Sequence, residues 1–407
     1  MDHTRIREAA ERGRDAVTRF LQDIVRIKTL SGAEKPVIDR IAEEMRAVGF
    51  DEVFVDGLGN LIGRMGNGPR RIAMDAHVDV VDVGNPDNWT RDPFGAQLEN
   101  GVVHGRGTTD MKGAMASLVY GAKIVKDLGL AKNATLFVTA TVMEEDCDGL
   151  CWQYILREKV IDPPPEVVIV AEPTNMNIYR GHRGRMEMEI RVPGLSAHGS
   201  APERGINAVY KMAPVVLEIE ALNERLKDDP FLGKGTITIS DIRSTTPSLC
   251  AVADSCAIHL DRRLTHGETP ESAVAELEAL PSVKAAGGLV VILDYAEPAY
   301  TGLVYPTKKF YPTWVLAEDH PALKTAVSAY EGVLGVTPKV DKWTFSTNGI
   351  ATMGMFGIPS FGLGPGDETC AHSPCELVMV DHLVRAAAFY AAFAEEYSSG
   401  GGAGATA

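Results

Sequence analysis

Ala73-Met74-Asp75-Ala76-His77-Val78-Asp79 follows Arg70-Arg71-Ile72, and the run reads as a short apolar strand that ends at a histidine. A histidine that binds metal usually gives its other ring N–H to a carboxylate, which fixes tautomer and ring orientation. His77-x-Asp79 supplies both groups at one strand end. Alone the pair is weak evidence, because most such histidines are ordinary loop or core residues. Its weight comes from other strands in the chain that end in similar chemistry.

Upstream, residues 5–27 carry apolar residues at helical spacing, and a second helix fits Glu34 to Val48 before Gly49. Two short strands follow, around Glu52–Asp56 and Asn60–Met65. Downstream, Trp89 to Gly95 reads as a loop, and Val102 to Gly107 leads to Asp110 and a helix over Met111–Asp127. Ala134–Met143 is β-like and runs into Glu144-Glu145. Glu166–Ala171 is a continuous apolar run of buried-strand type that ends at Glu172. Strands and helices alternate, so the spacing predicts an α/β fold with a largely parallel sheet covered on both faces.

The pattern changes after residue 181. Strands are expected at Arg183–Val192, Thr236–Ile242, Ser255–Leu264 and Gly288–Asp294, with helices at Gly205–Leu226 and Glu268–Leu280. That order is βαββαβ, the ferredoxin-like unit, inserted into the first domain. The expected division is 1–181 for the first part of the α/β domain, 182–297 for the insert and 298–397 for the return. The return is expected to hold a helix over His320–Leu334, a strand over Ile358–Leu363 and a last helix over Val378–Tyr397. A tail at 398–407, rich in Gly and Ala, is expected to be disordered.

Composition narrows the classes. With 407 residues and 45% hydrophobic content, two domains and a sizeable core are expected. The net charge of −15 argues against nucleic acid or an anionic membrane as partner. No apolar run approaches the roughly 20 residues of a membrane helix, and the charged N-terminus lacks a signal-peptide pattern. Six cysteines without CxxC pairs point to reduced thiols and a cytoplasmic location.

Ligands in open α/β sheets bind outside the carboxyl ends of the strands. Here those ends carry His77, Glu144-Glu145 and Glu172, while Asp110 opens a helix. Packed together without cations, the carboxylates would repel one another, and two divalent metals would remove the repulsion. A second histidine, His372, stands in a Gly/Pro-rich loop after the strand Ile358–Leu363. Two histidines and several carboxylates suit zinc, and cobalt or manganese fit the same donor set. Of the pair Glu144-Glu145, one can bind metal while the other stays free as a base.

The set His77-x-Asp79, Asp110-Met111-Lys112-Gly113, Glu144-Glu145, Glu172-Pro173-Thr174 and Ala371-His372 resembles the di-zinc amidohydrolases. That family includes acetylornithine deacetylase, succinyl-diaminopimelate desuccinylase, aminoacylase-1 and carboxypeptidase G. The resemblance implies a zinc-dependent exopeptidase-like domain interrupted by a ferredoxin-like lid. It implies that His77 and Glu172 hold one zinc, Glu145 and His372 the other, and that Asp110 bridges them. Asp79 would orient His77, and Glu144 would be the general base. Gly194-Leu195-Ser196-Ala197-His198-Gly199-Ser200 matches the lid segment whose histidine stabilises the tetrahedral intermediate, across the subunit boundary in dimeric members. Arg263 aligns with the lid arginine that binds a substrate carboxylate, and Asn348 stands near the back of the site as a further substrate contact.

There are departures. Where many relatives read Asn-Val-Ile-Pro this chain has Cys250-Ala251-Val252-Ala253, and His266-Gly267 replaces Pro-Gly after the lid arginine. Glu144–Trp152, Cys250–Arg263 and Trp343–Gly349 resemble the selenium-metabolism-linked subgroup of hydrolases. The expectation is a cytoplasmic homodimer, joined through the lid, that uses a two-zinc-activated water to cut an amide-type C–N bond. Its substrate would be a small molecule bearing a carboxylate, such as an N-acyl amino acid. A ureido or carbamoyl amino acid of purine-type catabolism, or a dipeptide, are alternative substrates. A non-catalytic amino-acid-binding protein is the rival outside enzymes, and the presence of Glu144 argues against it, since a binder needs no base.

Overall fold

The computed structural model describes residues 2–400. Arg70–His77 pairs in parallel with Ala134–Thr141 on one side and Val167–Val170 on the other. Ser360–Gly362 pairs in parallel with the far side of Val167–Val170. Four adjacent strands therefore run the same way at the centre of an eight-stranded sheet. Glu52–Val55 and Leu61–Gly66 complete one margin, and Ile178–Tyr179 and Val340–Asp341 the other, through partly antiparallel pairings. Every residue of Ala134–Thr141 and Val167–Val170 is buried, which requires cover on both faces of the sheet. Helices Lys35–Val48, Gly113–Leu128 and Val380–Ser399 contact the strands directly. The fold is thus mixed α/β with a mostly parallel sheet, and the carboxyl ends of its four central strands lie side by side.

The insert has its own core. Strands Thr236–Thr245, Ser255–Leu264, Gly184–Pro193 and Leu289–Ile292 form an antiparallel sheet in that spatial order. Helices Ala208–Asn223, Pro270–Ala279 and Pro281–Ala286 pack with it. Met186, Met188, Ile190, Ile258, Leu260, Val215 and Ile219 make an apolar cluster separate from the one around the eight-stranded sheet. On that separation we propose 182–297 as the bounds of the insert. The return is less clean than the sequence indicated: Phe310–Tyr311 adds to the insert's sheet, with Tyr311 opposite Arg185.

Local chemistry sets the element ends. The long amphipathic stretch at 5–27 is two helices, His3–Arg12 and Arg14–Val25, broken at Gly13, whose missing side chain lowers helix propensity. Lys35–Val48 stops at Gly49, which takes the left-handed C-cap conformation at φ +92°. Ile350–Met355 forms a wide π-type turn. Leu150–Arg157 forms a helix that sequence reading left out; its first four residues are all buried, so no polar face marks it. The expected tail begins too early. Ser398 is buried within the last helix, and its hydroxyl donates to the Glu395 carbonyl. Residues 401–407 of that expected tail lie outside the described residues.

Candidate metal centre and cleft

Each central strand delivers one part of the site. His77 is the last residue of its strand and is buried. Its Nδ1 lies 3.0 Å from the Asp79 carbonyl and 3.5 Å from the Asp79 carboxylate. The closer partner is thus the main chain, and Nδ1–H donation to it leaves Nε2 facing the Asp110 and Glu172 carboxylates. The Asp79 carboxylate works elsewhere: its Oδ2 accepts from the Ser31 hydroxyl at 2.7 Å and from the Glu145 peptide N–H at 3.0 Å.

Asp110 lies between the two histidines. Its Oδ1 is 3.0 Å from His77 Nε2, and its Oδ2 is 3.2 Å from His372 Nε2. Glu172 lies 3.6 Å from His77 Nε2, and Glu145 lies 3.1 Å from His372 Nε2. Among the described residues, two groups of side chains offer ligand atoms within 4.8 Å of one another: His77, Asp110, Glu172 and Asp110, Glu145, His372. They share Asp110. Glu144 belongs to neither group but stands 3.8 Å from His77.

The electrostatics of this cluster are those of a site short of positive charge. Burial, followed by repulsion from neighbouring carboxylates, holds Glu144 and Glu172 well above the usual carboxylate range, and His77 offsets only part of it. Burial alone would depress His77, but Glu144, Glu172, Asp110 and Asp79 outweigh it and raise the imidazole. Hydrogen bonds to Asp110 and Glu145 raise His372 to about 10. Glu144 Oε1, Glu145 Oε1, Glu172 Oε2 and Asp79 Oδ1 are buried without a hydrogen-bond partner among the described residues. Unpaired buried oxygens at this density are costly unless cations occupy the space between them. The donor set of imidazole nitrogens and carboxylate oxygens therefore fits a pair of divalent ions.

The cluster opens into a cleft of about 400 Å³, within the range of small-ligand sites. Arg263, Arg185, Asp148, Phe345, Ser346 and Glu368 line it together with the metal-site carboxylates and His372. Arg263 is held by Asp261 through two bonds of 2.8 and 3.0 Å. Asn348 does not line this cleft. It is 1% exposed, and its amide is consumed by the Gly149 N–H, Cys151 Sγ, Asp75 and Thr141. Every polar atom of that side chain is engaged behind the site, so it braces the strand ends and is not a substrate contact. His198 is exposed and outside the cleft of its own chain, with Nδ1 accepting from Ser200 Oγ at 2.7 Å.

Sequence reading missed Glu376. It is buried four residues after His372, and its Oε1 accepts from the peptide N–H groups of Gly107, Thr109 and Asp110 at 2.9–3.0 Å. Its other oxygen pairs with Arg106, whose guanidinium stacks 5.2 Å from the centre of the Trp89 ring. The only trace in the sequence is an acidic residue in an otherwise small and apolar run, Ser373-Pro374-Cys375-Glu376-Leu377-Val378.

Comparison with known proteins identifies the family and the fold. The family model described as peptidase family M20/M25/M40 matches residues 73–396. An Escherichia coli (strain K12) protein named uncharacterized protein YgeY is 55% identical over 376 residues, covering 92% of this chain and 93% of its own. A Staphylococcus epidermidis protein named probable succinyl-diaminopimelate desuccinylase is 32% identical over 213 residues, 52% of each chain. Among solved structures, the Bacillus subtilis YXEP protein, described as a dinuclear metal-binding peptidase, superposes with a TM-score of 0.69 at 14% identity. That superposition covers 94% of this chain and 98% of the other.

Proposed function

This chain belongs to peptidase family M20/M25/M40 and is a metal-dependent hydrolase, and we propose that it cuts an amide-type C–N bond in a small substrate that carries a carboxylate. The observation that carries this reading is the pair of ligand groups joined at Asp110 and walled by partnerless carboxylate oxygens. His77 and Glu172 would hold one ion, Glu145 and His372 the other, with Asp110 between them. Zinc is the proposed metal, and cobalt or manganese suit the same donors. Two such ions, when bound, polarise the amide carbonyl and make water a nucleophile near neutral pH.

The chain's own residues do the rest. Glu144 is left out of both ligand groups, and its Oε1 is uncommitted. It is the proposed base that takes a proton from the attacking water and returns it to the leaving nitrogen. The Asp79 carbonyl fixes the tautomer of His77. Arg263 projects into the cleft and would bind the substrate carboxylate. His198, exposed on its own chain, would meet the developing oxyanion of a second subunit. The small cleft favours N-acyl amino acids, and the desuccinylase name of one relative supports the same bond type. Ureido acids and dipeptides share that bond and belong in the same test.

The test has two parts. Purified protein should hold up to two divalent ions per chain, and His372→Ala should lose one of them together with most activity. Glu144→Gln should keep both ions while turnover on a panel of N-acyl amino acids, ureido acids and dipeptides falls by about 10²–10⁴. Full metal content in His372→Ala, or near-normal turnover in Glu144→Gln, would reject the assignment.

A further inference from the structure

The face of the insert that closes the cleft carries two arginines side by side. Arg185 and Arg263 are direct cross-strand partners in the ladder between Gly184–Pro193 and Ser255–Leu264. Both line the cleft opposite the metal-site carboxylates. Side chains so paired stand about 4.5–5.5 Å apart at Cβ, and like charges there destabilise a sheet. Two positions further along the same face, Glu187 lies opposite Asp261, a second like-charge pair.

Glu187 has cations of its own: Lys309 Nζ at 2.8 Å and, across the ladder, His259 Nε2 at 3.2 Å. Arg263 binds Asp261 on its own strand, and Arg185 Nη2 lies 3.4 Å from Glu187 on its own strand. The arrangement sorts both guanidinium groups to the cleft, and neither Glu187 nor Asp261 lines it. A like-charge pair placed side by side at a cleft breaks a local rule where function would ask for it.

Arg185 is also held in place. Its Nη2 lies 3.6 Å from Asp148 Oδ1, and its guanidinium carbon lies 4.6 Å from the centre of the Tyr311 ring. Asp148 is fixed in turn by the Ser346 hydroxyl. A guanidinium held in place at the wall of a cleft presents a planar fork suited to a carboxylate.

We propose that Arg185 is a second anion-recognising residue beside Arg263, so that the substrate carries two carboxylates. The class is an N-acylated or N-carbamoylated acidic amino acid, or an amide with a carboxylate on each side of the scissile bond. This rests on reading the cleft as the hydrolytic site.

The test reads binding, so that it stands apart from turnover. Zinc-loaded Glu144→Gln protein is titrated by calorimetry with N-acetyl-aspartate, N-acetyl-glutamate and N-carbamoyl-aspartate, and with N-acetyl-alanine as the monocarboxylate. At least one diacid should bind about tenfold or more tightly than N-acetyl-alanine. Adding Arg185→Ala should collapse that ratio to within about threefold, and Arg185→Lys should leave it between the two. Three results overturn the proposal: no diacid preference in the parent, no measurable binding of any diacid, or equal loss of both ligand classes in Arg185→Ala. Equal loss with a lowered melting temperature would show that Arg185 only holds the insert's sheet. If wild-type protein hydrolyses none of the panel while the diacid ratio depends on Arg185, the hydrolytic reading fails and the recognition reading stands.

Discussion

Glu376 touches no reacting atom on any reading of the cleft, yet four donors converge on it. One carboxylate ties the peptide of Asp110 to the segment just beyond His372, so it links the two sides of the metal centre. Glu376→Ala would leave Arg106 buried without its counter-charge and three peptide N–H groups unpaired. Removing one partner of a buried ion pair costs about 3–5 kcal/mol, which denaturant unfolding would read directly. Glu376→Gln keeps the shape and loses the charge. It should fold and yet give up at least one ion to a chelator sooner than wild-type protein does. Unchanged chelator resistance in that variant would mean that the carboxylate does not position Asp110. At this scale His77, Glu144-Glu145 and Glu172 stood out in the sequence because each follows an apolar run, whereas Asp110 and His372 follow glycine-rich stretches and were picked out by their place in the set. Glu376 was not legible, since the contact that defines it spans 266 positions. Arg185 was hidden differently. It alternates with Met186 and Met188 along a strand, so it looks like any solvent-facing charge until the cross-strand register is known.

Between the two cores the chain crosses a short ribbon in which Gly181–His182 pairs with Trp314–Val315. His182 is buried there, and its Nε2 accepts from Trp314 Nε1 at 2.8 Å and from the Thr347 N–H at 3.0 Å. Its Nδ1 donates to the Arg183 carbonyl at 2.8 Å, so the ring is held in one neutral tautomer. Burial lowers its pKa to about 4. The unfolded chain takes up this proton near pH 6.5 and the folded chain only near 4, so the unfolded state holds more protons in between. The stabilisation is complete above pH 6.5 and is lost as pH falls through that window. Each pKa unit is worth about 1.4 kcal/mol. Unfolding of wild-type protein and His182→Gln, compared at pH 7 and pH 4.5, should show the wild type losing about 2–3 kcal/mol more. A pH-independent difference between the two would exclude His182 as the cause. The main strands and helices of both cores were legible from periodicity, whereas this ribbon was not. Its strands are two residues long and owe their existence to tertiary contacts, not to any local pattern.

At the scale of the molecule, Thr236–Thr245 forms one edge of the insert's sheet and exposes Ile242. Leu249 just beyond it is fully exposed, and Tyr210 and Leu217 on the adjoining helix Ala208–Asn223 are also exposed. An open edge flanked by large apolar side chains is a template for pairing with a second copy. His198 forms a bridge with Ala251 in this same region. We therefore expect a homodimer in light scattering, and a monomer when Ile242→Lys and Leu249→Glu are combined. If His198 serves the partner's cleft, mixing inactive Glu144→Ala and His198→Ala chains should restore activity once tagged chains show that subunits exchange. Exchanged dimers that stay inactive would confine His198 to its own chain or remove it from the reaction.

The position of Ser360–Gly362 in the middle of the sheet has a consequence for biosynthesis. When the ribosome has finished the insert, His77, Asp110, Glu145 and Glu172 have all been made, while His372 has not. At that stage Val167–Val170 presents an open edge, because its parallel neighbour is still to come. The ligands of the His77 group have all been made by then, but Glu376, which holds the Asp110 peptide, has not. Both groups would therefore be finished together, after the late strand has slotted between Val167–Val170 and Ile178–Tyr179 and closed the sheet.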